Sequence, residues 1–142
     1  MTQTLEEKKS LNLAFFILLG IIFWFTGVLF IRLGGEKLFI NDSPWLLFLF
    51  ALAIPISWIF VKISAIFGKV SGAELLSALA IETTTATLID GSVLTWFQNI
   101  YSYDQSKLLL IAAWLLWGGG MGLAVGYLES LRSINEKPQT PS

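Results

Sequence analysis

Apolar and polar positions divide this chain into four long apolar runs joined by short polar segments. The first run, 11–33, is interrupted by Asn12, Thr26 and Arg32. The second, 45–67, carries Pro55 and Lys62, and the fourth, 108–128, has no charged residue. The third, 73–97, is the most polar: it holds Glu82, Thr83, Thr84, Thr85, Thr87 and Asp90. Each run is near the length of about 20 residues that a helix needs to cross a hydrocarbon layer of roughly 30 Å. None alternates with a period of two, and open strand edges are untenable in lipid, so all four read as helices. The first is too long for a signal peptide and no small-residue cleavage site follows it, so it reads as a retained helix. The pattern predicts an all-α integral membrane four-helix bundle over 11–128, flanked by polar tails at 1–10 and 129–142.

Composition strengthens the membrane reading. Of 142 residues 55% are hydrophobic and 13% charged, with a mean hydropathy of +0.72, too apolar for a water-soluble domain of this size. A net charge of −1 offers nothing to nucleic acid. The chain has no Cys and no His, which removes thiol chemistry and nearly all zinc chemistry. No metal, no cofactor and no catalytic constellation is expected. Without His, any step that responds to pH near neutrality rests on a Glu or an Asp.

Basic residues set the orientation. Lys8, Lys9, Lys62, Lys69, Arg132 and Lys137 fall on one side, against Arg32, Lys37 and Lys107 on the other. Six against three places both termini in the cytoplasm. Trp45, Trp96, Tyr101 and Tyr103 then gather at the outer interface, whereas Trp24, Trp114 and Trp117 fall deeper and suit packing.

The third helix carries the candidate chemistry. On a helical wheel with Thr83 at zero, Thr87 lies at about 40° and Asp90 at about −20°, forming one stripe. Glu82, at about −100°, stands at the edge of the same half. The two carboxylates are about 12 Å apart along the axis, too far to share one proton or one ion. Glu82 falls near the bilayer midplane, where a charged carboxylate costs at least about 2.5 kcal/mol, and no cation is expected at its depth. Two readings stand equal for it: a protonatable or ligand-contacting group in a polar pathway, or a hydrogen-bonded lock between helices. For the threonines alone the lock is favoured. Asp90 lies near the outer boundary, at the level of Arg32, and an Arg32–Asp90 pair is the preferred contact. Lys62 is expected to snorkel to the inner interface.

Two further features concern helix shape. Pro55 lies midway along the second helix, leaves the Ala51 carbonyl without its usual amide and predicts a kink. Gly118, Gly122 and Gly126 recur every four residues in the fourth helix, a spacing that lets another backbone approach closely. Packing is favoured there over space for a lipid tail or cofactor.

The blocks FWFTGVLFIRLGG at 23–35, TLIDG at 87–91 and AAWLLWGGG at 112–120 resemble a domain-of-unknown-function family of small four-helix bacterial membrane proteins. The resemblance covers about 12–128, supports four helices and implies no activity. It draws attention to Arg32 and Asp90, and a multi-pass protein of a bacterial inner membrane is expected. The leading expectation is a binding or accessory protein of the lipid bilayer, acting as a homo-oligomer or within a larger membrane complex. The alternative is a proton-linked small-solute carrier or permeation unit using Glu82. A lipid-modifying enzyme ranks last, because the two acids are too far apart for a joint site.

Overall fold

The computed structural model describes residues 11–136. The expected tail at 1–10, its Lys8 and Lys9, and Lys137 at the other end lie outside the described residues. The four expected helices form: α1 (Leu13–Arg32), α2 (Pro44–Gly68), α3 (Gly72–Trp96) and α4 (Gln105–Asn135). Short 3-10 turns at Gly35–Leu38 and Gln98–Ile100 punctuate the α1–α2 and α3–α4 connections. The chain is all-α.

Local chemistry accounts for the helix ends. Asn12 caps α1 by accepting the Phe15 amide at 3.1 Å. Ser43 accepts the Trp45 amide at 3.2 Å, and Pro44 opens α2 where its missing N–H costs nothing. Lys69 ends α2 in the left-handed conformation, with its N–H bonded to the Ala65 carbonyl. Asp104 caps α4, and the hydroxyl and backbone amide of Ser106 hold its carboxyl below its usual range. α3 continues past Asp90 and Gly91 to Trp96.

One boundary needs correction. Residues 129–135 were expected in a solvated tail, but α4 runs on to Asn135. Hydropathy marks where an apolar segment ends; it does not mark where the helix ends. This last stretch has partners. Glu129 pairs with Lys62 of α2, Ser133 accepts the Gly72 amide at 2.9 Å, and Arg132 bonds Glu136 at 3.0 Å.

Packing sets the helix order. α3 lies broadly against both α1 and α4, and α4 against α2, while α1 meets α2 lightly and α2 meets α3 lightly. Around the bundle the order is therefore α1, α3, α4, α2, with consecutive helices α2 and α3 on a diagonal. Contacts between α2 and α4 advance in step: Trp114 with Leu49, Trp117 with Phe50, Glu129 with Lys62. Those two helices run parallel as neighbours.

The core is divided. One cluster, with Val28, Ile31, Phe39, Leu49, Val93, Tyr101, Ile111 and Trp114, fills the end where α1 finishes and α4 starts. At the opposite end are two smaller clusters, Phe16, Leu19 and Ala78, and Val61, Leu75 and Leu79. Outside, large apolar side chains such as Leu18, Phe25, Leu47, Phe67 and Leu116 are exposed. Helices α1, α2 and α4 are long and apolar enough to cross a membrane, with less than a third of each such stretch buried within the bundle. α3 is long enough but more polar, carrying Glu74, Glu82 and Asp90.

Candidate functional site

A cavity of about 170 Å³ lies between the two ends of the core, and all four helices line it. It exists because several side chains there are absent. A Cβ added at Gly27, Gly118 or Gly122 would meet nothing within 4 Å. The polar wall is α3, which presents Glu82, Thr83, Thr87 and Asp90, and α2 adds Ser57. Thr83 and Thr87 also line a hollow on the outer side of α3, with Ala80, Thr84, Leu88 and Leu123. They therefore stand between the cavity and the exterior.

Glu82 is 4% exposed. One oxygen, Oε2, lies 2.8 Å from the Ser64 hydroxyl; the other, Oε1, is buried and has no hydrogen-bond partner among the described residues. Ser64 Oγ is also 3.0 Å from the Phe60 carbonyl. That hydroxyl has one proton and faces two acceptors. Both contacts are fully satisfied when Ser64 donates to Phe60 and a neutral Glu82 carboxyl donates to Ser64. A charged Glu82 leaves one contact without a proton of its own.

Backbone packing holds Glu82 in place. Gly20 of α1 sits so close that a Cβ there would be 2.8 Å from the Glu82 carbonyl oxygen and 3.0 Å from its Cα. Ser64 and Gly20, missed in the sequence reading, are the two groups that position this acid. A glycine isolated inside an apolar run was the available signal for Gly20. Ser64 had none, because its partner lies across the bundle's diagonal.

The second acid is held differently. Asp90 accepts the Tyr101 hydroxyl, and Tyr101 accepts the Trp24 indole N–H at 2.8 Å. The predicted Arg32–Asp90 pair does not form. Arg32 is the last residue of α1 and donates to the Asn99 carbonyl at 3.3 Å, outside the bundle. Asp90 lies a turn and a half inside α3 with its side chain turned inward, where Tyr101 reaches it from the connection. Tyr101, expected in an interfacial belt, is 0% exposed and belongs to the core. Beside it, the Glu36 carboxylate accepts the Ser102 hydroxyl and ties the two connections at this end together.

Other expectations change as well. Lys62 also has partners within the bundle: it pairs with Glu129 and lies 5.5 Å from the Trp58 ring centre. Pro55 sits within α2 on its exposed face, and α2 continues through it. Ser57 of α2 lines the cavity with Glu82, while Ala51 and Pro55 do not. The α4 glycines split. Gly126 packs against Leu79, whose Cδ1 is 2.2 Å from an added Cβ, whereas Gly118 and Gly122 face open space. Close packing within the chain therefore applies to Gly126, where the neighbour is the Leu79 side chain, and not to the other two. Thr83 and Thr87 face the cavity with Glu82 and Asp90, so the stripe and the edge acid converge on one space. Among the described residues no cluster of acids is placed to hold a metal ion.

A family model described as "Family of unknown function (DUF5367)" matches residues 38–132. No curated protein and no solved structure matches the chain.

Proposed function

This chain belongs to DUF5367, a family of unknown function, and from that premise we propose that it is a small multi-pass protein of a bacterial inner membrane that binds a small solute between its helices and moves it in exchange with protons. One observation carries the reading: a cavity lined by all four helices, with a buried carboxyl group on its wall whose second oxygen has no partner. A sealed, fully bonded interior would have favoured a structural lock. Within a membrane, Glu82 is the protonatable group, and its neutral form meets the Ser64 and Phe60 contacts in full.

Membrane insertion is part of the proposal. The apolar exteriors of α1, α2 and α4 suit lipid tails. α3 is more polar, but Ser77, Thr85, Ser92 and Thr95 donate to carbonyls one turn back, which lowers the cost of placing hydroxyls in lipid. The bias of basic residues supports cytoplasmic termini. An accessory subunit or homo-oligomer assembling through the α4 glycines is the weaker reading. Gly118, Gly119 and Gly122 line the cavity, and Gly126 is covered by Leu79.

The test is proton movement in proteoliposomes carrying an imposed pH gradient, challenged with a panel of small cationic, neutral and anionic solutes. Wild type should show solute-dependent proton flux, and Glu82→Gln, which keeps the shape and the Ser64 contact, should reduce it at least tenfold. Equal flux in both, or none in either across the panel, would remove the proposal.

A further inference from the structure

The walls of the cavity also restrict what it can hold. We infer that its ligand is a small organic cation, an ammonium group on an apolar or aromatic body. This rests on the reading of the cavity as a solute site and specifies the solute.

Charge is the first argument. Among the described residues, the ionisable side chains lining the cavity are Glu82 and Asp90, and no Lys or Arg lines it. The nearby basic groups are engaged elsewhere, Lys62 with Glu129 and Arg32 with the Asn99 carbonyl. An anionic solute would meet two acids and no counter-charge, and an isolated buried charge is prohibitively costly. A cation can pair with the carboxyl group of Glu82, which lines the cavity and whose Oε1 has no hydrogen-bond partner among the described residues. A neutral solute can satisfy Oε1 with a single donor, but it gains no charge pairing.

The remaining walls favour an apolar, partly aromatic body. Phe23, Trp24, Phe60 and Trp114 line the cavity, and Phe23 and Phe60 stack face to face with centroids 4.3 Å apart. Ring faces attract ammonium groups, more strongly where water is excluded. Size narrows the class further. A volume of about 170 Å³ is close to the roughly 150 Å³ of an apolar cavity that takes one benzene. It is below the roughly 300–1,000 Å³ of sites for drug-sized ligands.

Charge balance then couples the solute to a proton. The empty cavity is neutral at Glu82 when the carboxyl is protonated. The occupied cavity is neutral there when an ammonium faces a carboxylate. Binding therefore releases the carboxyl proton: R–NH3⁺ plus Glu82–COOH gives the R–NH3⁺/Glu82–COO⁻ pair plus H⁺. No redox partner or second reactant is needed. Asp90 faces the same cavity but is held by Tyr101, and its occupancy is unchanged in this step.

The experiment uses the full chain in nanodiscs of zwitterionic lipid, at neutral pH and in weak buffer with a pH-sensitive dye. Benzylammonium, benzyl alcohol and benzoate are titrated while tryptophan fluorescence is followed, since Trp24 and Trp114 line the cavity. Wild type should bind benzylammonium saturably and release close to one proton per molecule bound. Benzyl alcohol and benzoate should bind at least tenfold more weakly. Glu82→Gln should lose at least tenfold in affinity and all proton release. Glu82→Asp, a second variant should the first not fold, should retain release at reduced affinity. Gly118→Leu, which projects into open space, should abolish binding in a folded protein. Benzyl alcohol binding as tightly as benzylammonium, unaffected by Glu82→Gln but lost in Gly118→Leu, would overturn the cation while leaving a solute cavity. Benzylammonium binding that survives Gly118→Leu, or no binding by any of the three, would overturn both.

Discussion

At the residue scale, glycine has opposite uses in this protein. Gly20 lets α1 approach the Glu82 backbone, with an added Cβ only 2.8 Å from its carbonyl oxygen. Backbone atoms of a packed helix cannot turn aside, so Gly20→Ala should separate α1 from α3 and destabilise the protein by about 1–3 kcal/mol or more. Gly122 faces open space. There Gly122→Ala should be neutral or stabilising by up to about 1 kcal/mol, since alanine is the better helix former. Unfolding of the purified variants in mixed micelles with a denaturing detergent measures both. Similar effects at the two positions would contradict the packing described. The spacing of Gly118, Gly122 and Gly126 was visible in the sequence, but whether a glycine faces a neighbour or a void depends on what lies opposite. Glu82 was legible as an acid enclosed by apolar sequence, and it is buried in the bundle. Its partner Ser64 and its neighbour Gly20 were not.

At the element scale, the parallel pair α2 and α4 is held at intervals by polar contacts. Trp114 and Trp117 donate to the successive carbonyls of Leu49 and Phe50, each at 3.0 Å, and Lys62 pairs with Glu129 further along. The ion pair is partly shielded, with side-chain exposures of 34% and 18%. Removing one partner leaves the other charge without its counter-charge, so Lys62→Met and Glu129→Leu should each cost about 1–2 kcal/mol. The double variant should cost less than the sum of the two by at least about 0.5 kcal/mol. A double-mutant cycle on the same unfolding assay gives the coupling, and strict additivity would mean that the pair contributes nothing. Lys62 was visible as a charge near a helix end, whereas Glu129 fell within the polar tail expected at 129–142. Their pairing depends on α4 continuing past Leu128, which the apolar run did not reveal because a helix can leave an apolar layer without ending.

At the scale of the whole molecule, the basic-residue bias leads to one expected outcome: reporter domains fused to either terminus should both report the cytoplasm, and a fusion in the connection at 99–104 should report the opposite side. A terminus found outside would reverse the orientation and with it the side on which Lys62 and Glu129 lie. The four helices and the placement of three connections were determined by sequence alone, because run length, turn residues and caps are local properties. The all-α class follows from the same source. Membership of the cavity was decided by tertiary structure. Helix order α1, α3, α4, α2 places α2 across from α3, so that Ser64 meets Glu82 and Ser57 joins the same space. The connection after α3 turns Tyr101 back into the bundle, where it takes Asp90 and leaves Arg32 to a backbone carbonyl. The polar stripe of α3 could be drawn on a wheel from spacing alone, since 3.6 residues per turn determines which side chains share a face. What that face meets is not a periodic property. It depends on long-range packing, and here it meets glycines and a void, which turns a costly run of polar residues into one wall of a cavity.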